Sequence, residues 1–143
     1  MIPAQTIGGN AASSNCILVA DDDPSILRLI KTVLEGEGFS VITAADGKSA
    51  YKILQSGLRI GAAVLDVKMP YIGGTDLIKF MRTEERFCDI PVIVMTGGQD
   101  LRLPSINFEA GAVAFLPKPF TNSQLKTIVS GFAAGTPAQS NLP

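Results

Sequence analysis

Four stretches of this chain carry residues that could do chemistry together: Asp21, Asp22 and Asp23 in "ILVADDDP", Asp66 in "VLDVKMP", Thr96 in "VIVMTG" and Lys118 in "AFLPKPF". Carboxylates gathered in one place repel. At ~5 Å and an effective dielectric near ~20, a pair costs roughly 3 kcal/mol, so clustered acids raise one another's pKa unless cations compensate. Lys118 could supply one positive charge and a divalent ion the rest. Hard oxygen donors without Cys or His favour Mg²⁺, with Mn²⁺ the alternative, over Zn²⁺. The chain contains no histidine, which removes the commonest side-chain general base. Cys16 and Cys88 lack the close spacing of zinc sites and read as ordinary reduced thiols.

Each residue also has a plainer reading. Asp23 directly before Pro24 suits a helix N-cap with proline at the first helical position. Asp66 could start a turn, Thr96 could be a strand-end hydroxyl ahead of the Gly97-Gly98 loop, and Lys118 could be a solvated lysine between two prolines. The fold that positions them decides the matter. Short β-rich runs recur at "CILVA" (16–20), "FSVITA" (39–44), "AAVLD" (62–66), "IPVIVM" (90–95) and "AVAFL" (112–116).

Helical patterns alternate with those runs. Ile26, Leu27, Ile30, Val33 and Leu34 form the apolar face of a first helix that stops near Gly36 and Gly38. Asp46 can cap a second helix carrying Ala50, Ile53 and Leu54. Leu77, Ile78 and Met81 mark a third, after Gly74. Pro104 belongs at a first turn, so a fourth is expected from about 103 to Ala110; Leu125, Ile128, Val129 and Phe132 give a fifth, capped by Thr121. Five strands alternating with five helices predict a doubly wound α/β domain with a parallel sheet. Ligands of such sheets bind beyond the carboxyl ends of the strands, where Asp21, Asp22, Asp23, Asp66, Thr96 and Lys118 would converge.

Independent accidents rarely place acids, a hydroxyl and a lysine on successive strand ends of one crevice. A carboxylate beside a divalent cation can attack a phosphoryl group to form an aspartyl phosphate, while a hydroxyl and an ammonium hold its outer oxygens. No side-chain base is needed, since a carboxylate is ordinarily ionised at neutral pH.

The four stretches quoted above, in this order and with Gly74 after "VLDVKMP", resemble the receiver domain of two-component response regulators over about residues 16–134. The resemblance implies a flavodoxin-like fold, strand order 2-1-3-4-5. It makes Asp66 the phosphoacceptor, Asp21 and Asp22 the acidic pair holding the metal with Asp66, and the Lys68 backbone carbonyl a further metal ligand. Thr96 and Lys118 would hold the phosphoryl group, and Thr96 with Phe115 would form the switch; Phe115 reads equally well as a core residue. The resemblance further implies a cis Lys118-Pro119 bond, a sensor histidine kinase or histidine phosphotransfer protein as phosphodonor, and a downstream protein target. The readout or dimer surface would be the fourth helix, fifth strand and fifth helix. Catalysis would be confined to the domain's own phosphorylation and dephosphorylation.

Hydrophobic residues at 46% against 17% charged describe a globular domain rather than a disordered chain. A net charge of −1 with scattered basic residues offers nucleic acid no attraction. No apolar run is long enough for a membrane span and "MIPAQTIGGNAASSN" has no basic start or apolar block resembling a signal peptide, so a cytoplasmic protein is expected. Residues 1–15 and 135–143 read as flexible tails resembling natural termini, favouring a stand-alone regulator over a receiver piece of a larger regulator or hybrid kinase. A phosphatase of the haloacid dehalogenase kind would need a second Asp two residues after its nucleophile, where this chain has Lys68. A phosphate-independent binding module fits poorly with a full set of acidic pair, acceptor, Thr and Lys.

Overall fold

The computed structural model describes residues 16–97 and 111–133. Its elements run β1 (Cys16–Ala20), α1 (Pro24–Gly36), β2 (Ser40–Ala44), α2 (Gly47–Gln55), β3 (Ala62–Asp66), α3 (Gly74–Thr83), β4 (Val92–Thr96), β5 (Ala114–Pro117) and α4 (Asn122–Phe132). All four strand pairings are parallel, in the order β2-β1-β3-β4-β5. This is the flavodoxin-like α/β architecture expected. The described residues contain four helices. The helix expected from 103 to 110 and the two tails lie outside them, and α4 is the helix expected fifth.

Period-two alternation explains why the central strands read as unbroken apolar runs. Leu18, Ala63, Leu65, Val92 and Val94 face α2 and α3, where Ala50, Leu54, Leu77, Ile78 and Met81 cover them. Ile17, Val19, Ala62, Val64, Ile93 and Met95 face the other way, against Ile30, Leu34, Leu125 and Val129 of α1 and α4. Each fully buried Leu or Ile among them contributes about 1.5–3 kcal/mol. Both ends of the order are less covered: β2 buries only Val41 and Ala44 of its five residues, and β5 only Leu116 of its four.

Local signals start the helices where expected. Asp23, Asp46 and Thr121 accept hydrogen bonds from the backbone N–H groups of Ser25, Ser49 and Gln124. Thr121 and Gln124 complete a capping box. Two strands begin two residues later than the apolar runs suggest: β4 at Val92 rather than Ile90, and β5 at Ala114 rather than Ala112. The half-buried Arg82 guanidinium donates to the carbonyls of Phe87, Cys88, Ile90 and Gly111, tying together the segments that lead into both strands. No helix among the described residues is long and apolar enough to cross a membrane.

Candidate functional site

The buried polar side chains among the described residues are Asp21, Asp66 and Thr96, and all three stand at the carboxyl ends of neighbouring central strands. A buried carboxylate is costly unless it is paired, so their convergence is the feature of the molecule that packing alone does not explain.

Asp21 directly follows β1 and donates its N–H to the Ala44 carbonyl at 3.1 Å, which extends the ladder by one residue and keeps the side chain inside. Both its carboxylate oxygens are engaged: Oδ1 accepts the Asp23 N–H at 2.9 Å and Oδ2 accepts from Lys118 Nζ at 2.7 Å. Asp22 is exposed at the mouth. Asp23 turns away to cap α1, and its hydrogen bonds from Ser25 hold its carboxyl below the usual range.

Asp66 ends β3, opposite Met95, and is 9% exposed. Burial, and then the neighbouring Asp21 and Asp22 charges, push its pKa up to about 6 against the pull of Lys118. The Lys118 ammonium lies 3.6 Å from Asp66 Oδ2. Burial works against the Lys118 charge, but the Asp21 hydrogen bond and both buried acids outweigh it and raise its pKa. Oxygen atoms of Asp21, Asp22 and Asp66 lie within 4.8 Å of one another. Fully ionised, the three carboxylates exceed the single ammonium by two negative charges. A hard divalent cation matches both that deficit and the all-oxygen donor set.

The surrounding loops are tightly built. Pro117 has no N–H to give β4, and Lys118 N–H instead donates to the Thr96 carbonyl at 2.7 Å, bringing the hydroxyl-bearing and ammonium-bearing strand ends together. The Lys118-Pro119 peptide is cis, as expected. Gly74 N–H donates to the Val67 carbonyl at 2.9 Å. A Cβ on Gly74 would fall on the Asp66 carbonyl oxygen, so only glycine lets α3 start this close to the acceptor. Gly47, at the start of α2, has the same relation to the Ile72 carbonyl.

The structure thus brings together Asp21, Asp22, Asp66 and Lys118, with Thr96 at the adjoining strand end. The Lys68 side chain is exposed two residues beyond Asp66. Phe115 stands apart: half-buried on β5 opposite Val94, it packs on the α2 and α3 side of the sheet. It also lines a surface cavity of about 430 Å³ with Pro117, Thr121, Gln124 and Ile128. Sequence reasoning missed the part played by Gly47 and Ile72 in fixing the loop after Asp66, and Tyr71 within it. The Gly73-Gly74 pair was the available signal for close backbone approach.

A model of the response regulator receiver domain matches residues 17–130. The transcriptional regulatory protein CpxR of Escherichia coli (strain K12) is 38% identical over 111 residues, covering 78% of this chain and 46% of that one. The chain therefore spans about half the length of that curated relative. A putative response regulator from Chloroflexus aurantiacus J-10-fl superposes with a TM-score of 0.79 at 32% identity, covering 84% of this chain and 98% of that one. The receiver domain of sensor histidine kinase PA1611 from Pseudomonas aeruginosa PAO1, solved with a magnesium ion coordinated in its active-site cleft, superposes at 0.75 and 25% identity. There the coverage is 82% and 96%.

Proposed function

The chain belongs to the response regulator receiver family of two-component systems, and from that premise we propose that Asp66 accepts a phosphoryl group from a phosphohistidine of a sensor kinase or histidine phosphotransfer protein. The observation that carries this is the convergence of Asp66 with Asp21, Asp22 and Lys118 in one buried acidic pocket. An Asp66 oxygen forms the new O–P bond as the donor's N–P bond breaks. Lys118, 3.6 Å from Asp66 Oδ2, would pair with the incoming oxygens, and the Thr96 hydroxyl would hydrogen-bond them.

Mg²⁺, or Mn²⁺ in its place, would be held by the Asp21, Asp22 and Asp66 carboxylates and the Lys68 carbonyl, and when bound supplies positive charge to the phosphoryl oxygens. The magnesium in the PA1611 receiver cleft supports this assignment. The chain's own residues supply the rest: Asp21 orients Lys118, and burial of Asp66 limits water access to the acyl phosphate.

The phosphorylated state then favours one of two arrangements, in which Thr96 moves inward and Phe115 follows into the vacated space. The half-buried position of Phe115 beside a cavity is consistent with such a swing. The surface it would alter includes β5 and α4, offered to a downstream protein or a second copy. The reading places the protein in the cytoplasm, without direct nucleic-acid contact and with no catalysis beyond its own modification. A receiver piece of a longer regulator or hybrid kinase is the second reading, supported by the half-length match to CpxR.

The test incubates the protein with acetyl phosphate and MgCl₂ and follows intact mass. One phosphoryl group is expected on the native chain and none on Asp66→Asn. Labelling that persists in Asp66→Asn would overturn the assignment.

A further inference from the structure

Tyr71 has the one positive φ of any non-glycine among the described residues, 72°, and its residue is 79% exposed. Left-handed backbone is unfavourable for a bulky side chain, and here almost no burial offsets it. Asn or Gly would sit in this turn more easily. The loop is nevertheless held firmly. Ile72 N–H bonds the Pro70 carbonyl at 2.9 Å, Gly47 N–H reaches the same carbonyl at 3.4 Å, and Ile72 closes over Gly47. The ring is steadied from outside the loop by Lys48, whose ammonium lies 5.8 Å from its centroid. Mostly solvent-facing, with a cation beside it, this tyrosine buries little within this chain and offers its ring to a surface that lies over the loop.

Its location says what that is. Tyr71 lies five residues past Asp66, in the loop that leaves the carboxyl end of β3. Asp66 is 9% exposed, so a phosphohistidine can reach it only if the donor protein lies down over the loops around the mouth. We propose that Tyr71, held by Lys48, is a contact and specificity residue for the phosphodonor protein, its ring covered by the donor's surface during transfer. Rigid tyrosines at the centre of such contacts contribute strongly for little ordering cost. The inference rests on the reading of Asp66 as phosphoacceptor.

The experiment compares two donors on the full chain: acetyl phosphate with MgCl₂, and whichever autophosphorylated histidine kinase of the source organism transfers fastest to the native protein. Tyr71→Asn is expected to lose about tenfold in kcat/KM with the kinase, the scale of one interface hot spot. Its acetyl phosphate labelling should stay within about twofold and its thermal midpoint stay level or rise as strain is relieved. Tyr71→Phe, which keeps the ring, should keep the kinase rate. Tyr71→Asn transferring from the kinase at the native rate, an equal loss with both donors, or Tyr71→Phe as slow as Tyr71→Asn would each overturn the inference. Absence of acetyl phosphate labelling on the native Asp66 would instead strike the underlying reading.

Discussion

Lys118 pairs more closely with Asp21 than with Asp66, 2.7 Å against 3.6 Å, although Asp66 is the expected acceptor. In the resting protein the ammonium therefore neutralises the deeper acid, and Asp66 keeps much of its desolvation penalty. Removing Lys118 strands Asp21, which is 0% exposed, with a single remaining N–H partner. Lys118→Met is expected to cost about 2 kcal/mol in urea unfolding at neutral pH. That is less than the ~3–5 kcal/mol of a fully buried pair, since the Lys118 side chain is 25% exposed. It should also push Asp66 higher still, read as a slower acetyl phosphate reaction at pH 7.

The raised pKa of Asp66, about 6 against 3.8, makes metal-free stability depend on pH with a definite sign. The folded state binds this proton more tightly than the unfolded state. The stabilisation is therefore complete below about 3.8 and is lost as pH rises through about 6. Open water at the pocket mouth reduces the nominal effect to about 2 kcal/mol. Asp66→Asn, which cannot ionise, should be more stable than the native chain in EDTA at pH 7.5 by about that amount, and the gap should close toward pH 4. Denaturant titrations at the two pH values measure it, and a gap that widens on acidification would contradict the sign.

A divalent cation inverts this dependence, because it favours ionised Asp66. Adding MgCl₂ at about 100 times its Kd should stabilise the native protein by about 2.7 kcal/mol, several degrees in Tm. Asp22→Ala removes an exposed donor of the cluster and should lose at least half of the shift. An undiminished shift in both Asp22→Ala and Asp66→Asn would place the ion elsewhere.

Gly74→Ala forces a methyl group onto the Asp66 carbonyl and should cost about 2–4 kcal/mol, together with slower labelling of Asp66. Gly36→Ala, with nothing within 4 Å of the added carbon, is the matched control and should be neutral or slightly stabilising. Thermal unfolding of the pair separates the close backbone approach from a general effect of replacing glycine.

Lys68 is exposed beside the acceptor and is expected to screen the acyl phosphate from water. Lys68→Ala should shorten the phosphoprotein's half-life by a few-fold, a change of under about 1 kcal/mol in barrier. Following loss of label after removal of acetyl phosphate checks it, and an unchanged half-life removes the role.

What the amino-acid order determined by itself was everything decided within a few residues: apolar runs of strand length, the caps at Asp23, Asp46 and Thr121, and which side chains follow each strand. Parallel topology then sends those strand-end residues to one edge, so the candidate site was legible before any coordinate. Tertiary structure alone decided the quantities that depend on distant partners. Lys118 and Asp21 are 97 positions apart, and no local rule says that the ammonium prefers Asp21 to Asp66 or that Asp66 sits buried enough to titrate near 6. Arg82 reaching from α3 to the Gly111 carbonyl, and Ile72 closing on Gly47 so that Tyr71 stands left-handed in solvent, are of the same kind. Periodicity and capping are short-range energies written along the chain; desolvation, ion-pair choice and backbone strain are set by what the fold packs around each group.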